Sequence, residues 1–385
     1  VSKKEENMIN IEKTSPKYKI NTCKYKIQDN ILHSLNNIPQ DNKEYNYIVP
    51  CSYDNIEDEY HKLNLKTKSK IFFIDNCDNI VAKDYLWKNL VNKYGIEKSI
   101  QFVPNTYVLK DKDKKDIKRL LNDYNKSKIY IMKKNIQRQE GLKITNSIDE
   151  ILNNKGEYVL AQELLQNCYT INKRKINLRV YVLVVCHKNN IDVWVYNDGF
   201  MYYTPSEFRN GSTKDEHNIT TGYIDRKIYD ANPLTHQDFK KYLDNHNREL
   251  NNKEKELKFN GTKISEYLFN KIYLLISNVF RAFEGKICIK QELKEHYTFQ
   301  LFGIDVGVND NLEPQIMEIN KGPDLGAKDE RDNKLKRDMI LNVHKVMNIL
   351  NDEILTSHSQ TQLSNVVENT APYYEKHNFI NVLEI

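Results

Sequence analysis

No Gly-x-x-x-x-Gly-Lys-[Ser/Thr] and no Gly-x-Gly-x-x-Gly occurs in this 385-residue sequence, so the two common phosphate-cradling loops are absent. No apolar run approaches the roughly 20 residues of a membrane span. The opening Val1-Ser-Lys-Lys-Glu-Glu6 carries no signal-peptide core. Six cysteines (Cys23, Cys51, Cys77, Cys168, Cys186, Cys288) are scattered without a Cys-x-x-Cys or a paired spacing. Neither zinc nor a disulfide framework is expected, and a reducing, cytoplasmic setting is the simplest expectation. There is no internal repeat and no heptad run. Neither a membrane nor a nucleic acid is expected as a partner.

What is there fits a soluble globular chain: 39% hydrophobic, 29% charged and a net charge of +5. The length allows two or three packed units. The mild positive charge suits an acidic partner or a phosphate-bearing ligand, and a lysine-rich solvated surface explains it as well.

The apolar pattern divides the chain into a polar segment 1–45, an α/β unit 46–100, a lid-like unit 101–165, a unit 166–354 of antiparallel sheet plus helices, and a tail 355–385. Tyr47–Cys51 and Ile71–Ile74 alternate with helices near 54–63 and 83–94, as in a small parallel α/β unit. Phe102–Leu109 is extended, and a lysine-rich helix (113–125) precedes the strand Ile129–Met132. Tyr158–Ala161, Leu178–Val185 and Ile191–Tyr196 read as strands, with Asn197-Asp-Gly199 as a hairpin turn into Phe200–Tyr203. Pro233–Asp238 resembles a capping box for a helix to about 246. Residues 247–262 read as a charged loop, and 264–283 and 335–350 show helical periodicity. The end, Phe379–Leu383, is apolar enough to dock.

The densest signal is Phe299–Asn320, two strands around a polar turn with acids where apolar residues are expected. If Asn309–Leu312 is a four-residue loop, Val308 faces Glu313 and Asp305 faces Ile316. Parity then puts Asp305, Glu318 and Asn320 on one face, with the two carboxylates diagonal neighbours about 7–8 Å apart. These hard oxygen donors suit Mg²⁺ carrying phosphates. Gly303 and Gly307 flank them and clear room for something large. A surface hairpin with a wet polar face is the alternative.

Two cationic groups offer phosphate contacts instead of a glycine loop. Lys133 ends a strand before a flexible segment, where an ammonium can meet a phosphate as a point charge. Lys175, Asn177 and Arg179 alternate on one face of an apolar strand and form a polar stripe. Solubilising charge on an edge strand explains the stripe equally well.

Together these pieces resemble the tubulin–tyrosine ligase-like family, which has the ATP-grasp fold. His296–Asp305 through Glu318-Ile-Asn320 is close to the family signature, and Arg174-Lys175-x-x-x-Arg179-x-Tyr-Val-Leu-Val is similar to its second motif. Val159–Leu165 sits where its adenine-binding hinge lies. Asp78–Leu86 and Phe102–Tyr107 match its upstream lysine and Pro-x-x-Tyr elements. The resemblance spans roughly 70–350 and implies an α/β (α+β) ATP-grasp architecture. It further implies that Asp305, Glu318 and Asn320 hold Mg²⁺ on ATP, and that Lys133 and Lys175 contact nucleotide or phosphates. Gln162, Glu163 and Leu164 would line the adenine slot, partly through backbone groups. Lys83 and Arg179 would stand by the γ-phosphate and the reacting carboxylate. Asn177, Thr220 and Thr221 fall on further nucleotide-side positions.

Four places depart from the family pattern. The phosphate loop shrinks to Lys134–Gly141 with one glycine, Leu-Thr-Asn becomes Ile219-Thr220-Thr221, the acid of Lys-Phe-Asp-x-Arg becomes Asn177, and an arginine becomes Tyr202. The activity implied is ATP-dependent amino-acid ligation through an acyl phosphate. The implied acceptor is the acidic tail of tubulin, with free tyrosine or glutamate added and a cytoplasmic or microtubule-associated location. A non-tubulin acceptor, and a pseudoenzyme that binds nucleotide or an acidic tail without turnover, are the other readings.

Overall fold

The structure, a computed structural model, describes residues 44–50, 61, 64–110, 114–135, 141–245, 247–349 and 374–385. Expectations for the 1–45 segment, the helix near 54–63 and the tail at 355–373 fall almost wholly outside these. The chain divides into two compact units, one of residues 1–73 with 325–359 and one of 74–324 with 360–385.

In the first unit, β1 (Glu44–Ile48) and β2 (Asn64–Ile71) pair in parallel. Both begin and end earlier than their apolar runs suggest. The helix Glu330–Val346 starts where the Asp329 side chain accepts the Asp332 amide. It buries Leu335, Met339, Ile340 and Val343 on one stripe. Its His344 is fully buried, with Nε2 2.7 Å from the Tyr47 hydroxyl.

The second unit holds two sheets. The smaller, ordered β3 (Thr106–Val108), β6 (Leu160–Glu163), β4 (Tyr130–Lys133), β5 (Leu142–Thr145), is antiparallel throughout. The larger contains β8 (Arg174–His187), β9 (Asn190–Tyr203), β10 (Tyr297–Val308), β12 (Tyr374–Lys376) and β13 (Phe379–Glu384), in the order β10-β8-β9-β13-β12. β11 (Pro314–Asn320) pairs with β10, and β7 (Thr170–Ile171) with β8. The helices are α1 (Asp78–Val81), α2 (Lys83–Tyr94), α3 (Ile96–Phe102), α4 (Lys115–Asp123), α5 (Ile148–Asn153), α6 (Asp215–Asn218), α7 (His236–Asp244), α8 (Asn252–Phe259) and α9 (Ile264–Arg281). The fold is mixed α/β, as expected. Among the described residues no helix is long and apolar enough to cross a membrane.

The period-two pattern of β8 sets the geometry of everything that follows. Its even residues Ile176, Leu178, Val180, Val182 and Val184 share one core with Leu268, Ile272, Ile276 and Val279 of α9. Lys175, Asn177 and Arg179 therefore face the other way, as the polar stripe requires. The apolar end of the chain docks as β13, pairing with β9 and burying Phe379, Ile380, Val382 and Leu383.

Three expectations need correction. Asn197-Asp-Gly199 is no hairpin turn, because β9 runs through it as one strand. The ladder slips there, from Val182↔Val195 to Val180↔Gly199, so Tyr196, Asn197 and Asp198 stand opposite Tyr181 alone. Asp198 turns its carboxylate to the amides of Gly199 (2.8 Å) and Gln237 (3.2 Å), capping α7 rather than closing a turn. Gly199 is there for close approach, since a Cβ would lie 2.3 Å from the Arg179 carbonyl oxygen. The β8–β9 reversal falls at Lys188-Asn189. Residues 247–262, read as a loop, contain α8, started by an Asn251/Glu254 capping box. Strand β5 and helix α5 form where the apolar pattern marks no element. Finally, Cys186 and Cys288, 102 residues apart, form a disulfide because the end of β8 and the segment after α9 meet with a Cα–Cα distance of 6.2 Å.

Candidate functional site

The β10–β11 hairpin builds the acidic centre by a route the sequence does not show. Leu312 N–H donates to the Asn309 carbonyl, Asn309 N–H to the Glu313 carbonyl, and Leu312 has φ +59°. The loop is thus Asp310–Leu312, one residue shorter than expected, a tight turn followed by a left-handed residue. That shift alone would turn Glu318 to the far face. A bulge at Met317 reverses it, since the register runs Val306↔Ile316 and then Asp305↔Glu318. Two one-residue changes cancel, and Asp305 stands directly opposite Glu318 rather than diagonal to it. Asn320 lies on the same face, opposite Gly303.

Each carboxylate holds a cation. Arg179 of β8, in register with Asp305, donates Nε to Oδ1 at 2.7 Å and Nη2 to Oδ2 at 3.1 Å. Lys83, first residue of α2, places Nζ 2.9 Å from Glu318 Oε1. Burial raises the Asp305 carboxyl above its ordinary range, against the pull of Arg179. The Arg179 guanidinium also sits 5.0 Å from the Tyr202 ring centroid. The two glycines make room for the protein's own side chains. A Cβ on Gly303 would meet Pro323 at 2.9 Å and Arg179 Nη1 at 3.2 Å, and one on Gly307 would meet Met317 at 2.7 Å.

A cleft beside this centre is lined by Lys83, Trp87, Thr106, Lys133, Leu160, Gln162, Met317 and Glu318, among others. Lys133 is buried and donates to Gln162 Oε1 (2.7 Å) and to the Met317 carbonyl (3.0 Å). Burial lowers its pKa to about 8, with Glu318 pulling upward. The bulge therefore also frees the carbonyl that Lys133 uses. Trp87 and Thr106 were missed by sequence reading. Trp87 lies four residues after Lys83 on one helix face, which was the available signal.

Alternation in β6 separates the hinge residues. Gln162 enters the cleft, whereas the Glu163 carboxylate takes Lys128 Nζ (2.7 Å), the Tyr107 hydroxyl (3.1 Å) and Asn105 Nδ2 (3.1 Å). The Glu163 and Leu164 amides donate to the Asn105 and Ile129 carbonyls. Leu164 packs against the cluster of Ile129, Ile131 and Ile144. Lys175, buried and with its pKa lowered by burial, donates to the Leu165 carbonyl at 3.1 Å. Asn177, opposite Gly307 and Tyr202, buries its Oδ1 without a hydrogen-bond partner. Thr221 N–H donates to the Tyr203 carbonyl (3.0 Å), which sets Thr220 and Thr221 at the end of β9, outside the cleft lining.

Two carboxylates, an amide oxygen and four buried or half-buried cations thus converge. Hard oxygen donors of this kind fit Mg²⁺, and the ammonium and guanidinium groups fit phosphate and carboxylate oxygens. Among the described residues no three or more His, Cys, Asp or Glu side chains are placed to hold a metal ion together, so two acids and Asn320 would bind a metal only with ligand oxygens completing its shell.

Comparison with known proteins places the chain among sequence relatives. The chain is 27% identical over 186 residues to the probable tubulin polyglutamylase TTLL9 of Rattus norvegicus, which covers 47% of this chain and 36% of the rat protein. It is 22% identical over 315 residues to the probable tubulin polyglutamylase ttll-9 of Caenorhabditis elegans, covering 75% and 70%. It is 22% identical over 303 residues to tubulin polyglutamylase TTLL7 of Homo sapiens, covering 74% and 33%. The chain thus spans about a third of the length of the rat and human relatives. The family model for the tubulin-tyrosine ligase family matches residues 62–358, from just before β2 to beyond the helix Glu330–Val346, and the chain belongs to that family.

Proposed function

We propose that the chain is an ATP- and Mg²⁺-dependent carboxylate–amine ligase that joins an amino acid to the acidic tail of a protein, with tubulin as the leading acceptor. The observation that carries this is the Asp305–Glu318 pair held between Arg179 and Lys83, with Lys133 and the Gln162 amide beside it. Glutamate is the favoured amino acid, because the similar proteins are named polyglutamylases.

The protein's part is placement and charge. Lys133 and Lys175 bind nucleotide oxygens as point charges. Asp305, Glu318 and Asn320 would hold Mg²⁺, which when bound screens the phosphate charge. Lys83 and Arg179, drawn off their carboxylates by the ligand, neutralise the phosphoryl group and the incoming acceptor carboxylate. That carboxylate takes the γ-phosphoryl group and ADP departs. The amine of the incoming amino acid then attacks the acyl carbon, and phosphate leaves as the amide forms.

Incubation with ATP, Mg²⁺, tubulin and mixed amino acids, read by mass spectrometry, tests this. A tail mass increased by glutamyl residues is expected, and ADP release with no tail modification would overturn the acceptor. A second reading, a different acidic acceptor, is favoured by Tyr202, whose ring covers Arg179 where the family carries an arginine.

A further inference from the structure

Lys133 is not placed by its own strand alone. Its ammonium ends a directional chain of hydrogen bonds. The Thr106 hydroxyl donates to the Pro104 carbonyl at 2.7 Å, so its proton is committed and its oxygen can only accept. Gln162 Nε2 donates to that oxygen at 2.9 Å and lies 3.4 Å from the same Pro104 carbonyl. The far end of the amide, Oε1, then faces Lys133 Nζ at 2.7 Å. A reversed amide would set Oε1 against two acceptors and an NH₂ group against an ammonium, both repulsive, so only one orientation is satisfied. Thr106, Gln162 and Lys133 are 1%, 6% and 7% exposed, which leaves water little access to repair a broken link. Arg119 of α4 anchors the start, donating to the Thr106 carbonyl and, at 2.6 Å, to Asn105 Oδ1. At the other end, Lys133 also reaches the Met317 carbonyl, and its third N–H remains for a ligand in the cleft.

We infer that Thr106 is a positioning residue: it fixes the Gln162 amide so that its oxygen, with the Met317 carbonyl, aims the Lys133 ammonium at a nucleotide phosphate. This rests on the reading of the cleft as a nucleotide site. Thr106 touches no ligand in this scheme and acts only through Gln162.

The test is a double-mutant cycle on nucleotide affinity, measured by calorimetry with ADP and with ATP in the absence of turnover. Thr106→Val keeps the shape and removes the acceptor. Its Kd should rise about five- to tenfold, the size of one lost hydrogen bond. Thr106→Ser should restore wild-type affinity to within about twofold. In a Lys133→Ala background the valine change should have less than about a twofold effect, because the group it positions is gone. Effects that multiply independently, or a valine variant with wild-type affinity, overturn the inference. Wild-type protein that binds no nucleotide overturns the function reading instead. A crystal structure of the wild-type nucleotide complex decides the same point if Thr106→Val fails to fold. Lys133 still on Gln162 Oε1 supports the inference, and Lys133 swung away from it overturns it.

Discussion

Asp305 and Glu318 face each other across β10 and β11 because one extra residue, Met317, is inserted between their ladders. Each is neutralised by a cation from a different element, Arg179 from β8 and Lys83 from α2. A ligand that binds both carboxylates through a cation must break or share two ion pairs, so occupancy of the site redistributes four charged side chains at once.

Glu318→Gln should leave the fold intact and lower ADP formation by at least about a hundredfold, since an amide cannot neutralise a divalent ion. Metal-dependent turnover measured with saturating ATP checks this. Wild-type rates with an unchanged Mg²⁺ requirement would remove Glu318 from the site.

Lys133→Ala and Lys175→Ala should each weaken ATP binding by about 1–3 kcal/mol, the range for hydrogen bonds from a charged donor. Calorimetric titration of both variants decides it. Undiminished affinity in both returns them to structural lysines, one on Gln162 and one on the Leu165 carbonyl.

Activity on a glutamate-rich peptide should fall with salt chiefly through KM. The Debye length shrinks from about 10 Å at 0.1 M to about 3 Å at 1 M, which screens capture of an acidic chain more than chemistry within the site. A KM indifferent to salt would argue for a small or uncharged acceptor.

His236 and His344 are 1% and 0% exposed, and burial depresses each to about 3. Their protonation is therefore favoured in the unfolded chain below its ordinary value near 6.5. Stability present above pH 6.5 is lost as pH falls, by up to about 1.4 kcal/mol per pH unit for each group. Asp192, raised to about 6 by burial, opposes this, because a carboxylate raised in the folded state relaxes as pH falls through that value. Urea unfolding at pH 7.5, 6.5 and 5.5 should show a falling midpoint, and Asp192→Asn should steepen the fall. A midpoint independent of pH in both proteins would contradict the assignment.

Reduction of Cys186–Cys288 should cost about 2–4 kcal/mol, because the bridge closes a long loop in the unfolded chain. Thermal melts with and without reductant, repeated on Cys288→Ser, measure it. An unchanged melting temperature in both would mean the bridge does not form in solution.

Much of this was legible because β8 alternates polar and apolar residues from Lys175 to Val180, so the facing of Lys175, Asn177 and Arg179 follows from parity alone. The shared face of Asp305 and Glu318 was also read, yet only because a shorter turn and a bulge offset each other. A bulge belongs to a pair of strands and leaves no trace in either one's sequence. Helix α8 escaped because it is polar on nearly every side and buries only Glu254 and Leu257, although its Asn-x-x-Glu start was visible. Thr106 was invisible for a different reason. The amide that its hydroxyl oxygen orients belongs to Gln162, 56 residues away in sequence. The disulfide joins residues whose proximity depends on where the segment after α9 returns to the sheet.

The family match stops at residue 358, whereas the sheet does not. β13 lies beyond it, zipped along β9 from Tyr196 to Asp192 and sharing a core with α9. A recombinant protein that keeps the natural N-terminal side but stops at residue 358 would carry a long bare strand edge with Val193 and Val195 beside it, which is the usual seed of intermolecular sheet growth. Insolubility of such a fragment would reflect a missing border strand rather than an unstable catalytic core, and supplying 374–385 as a separate peptide should recover it.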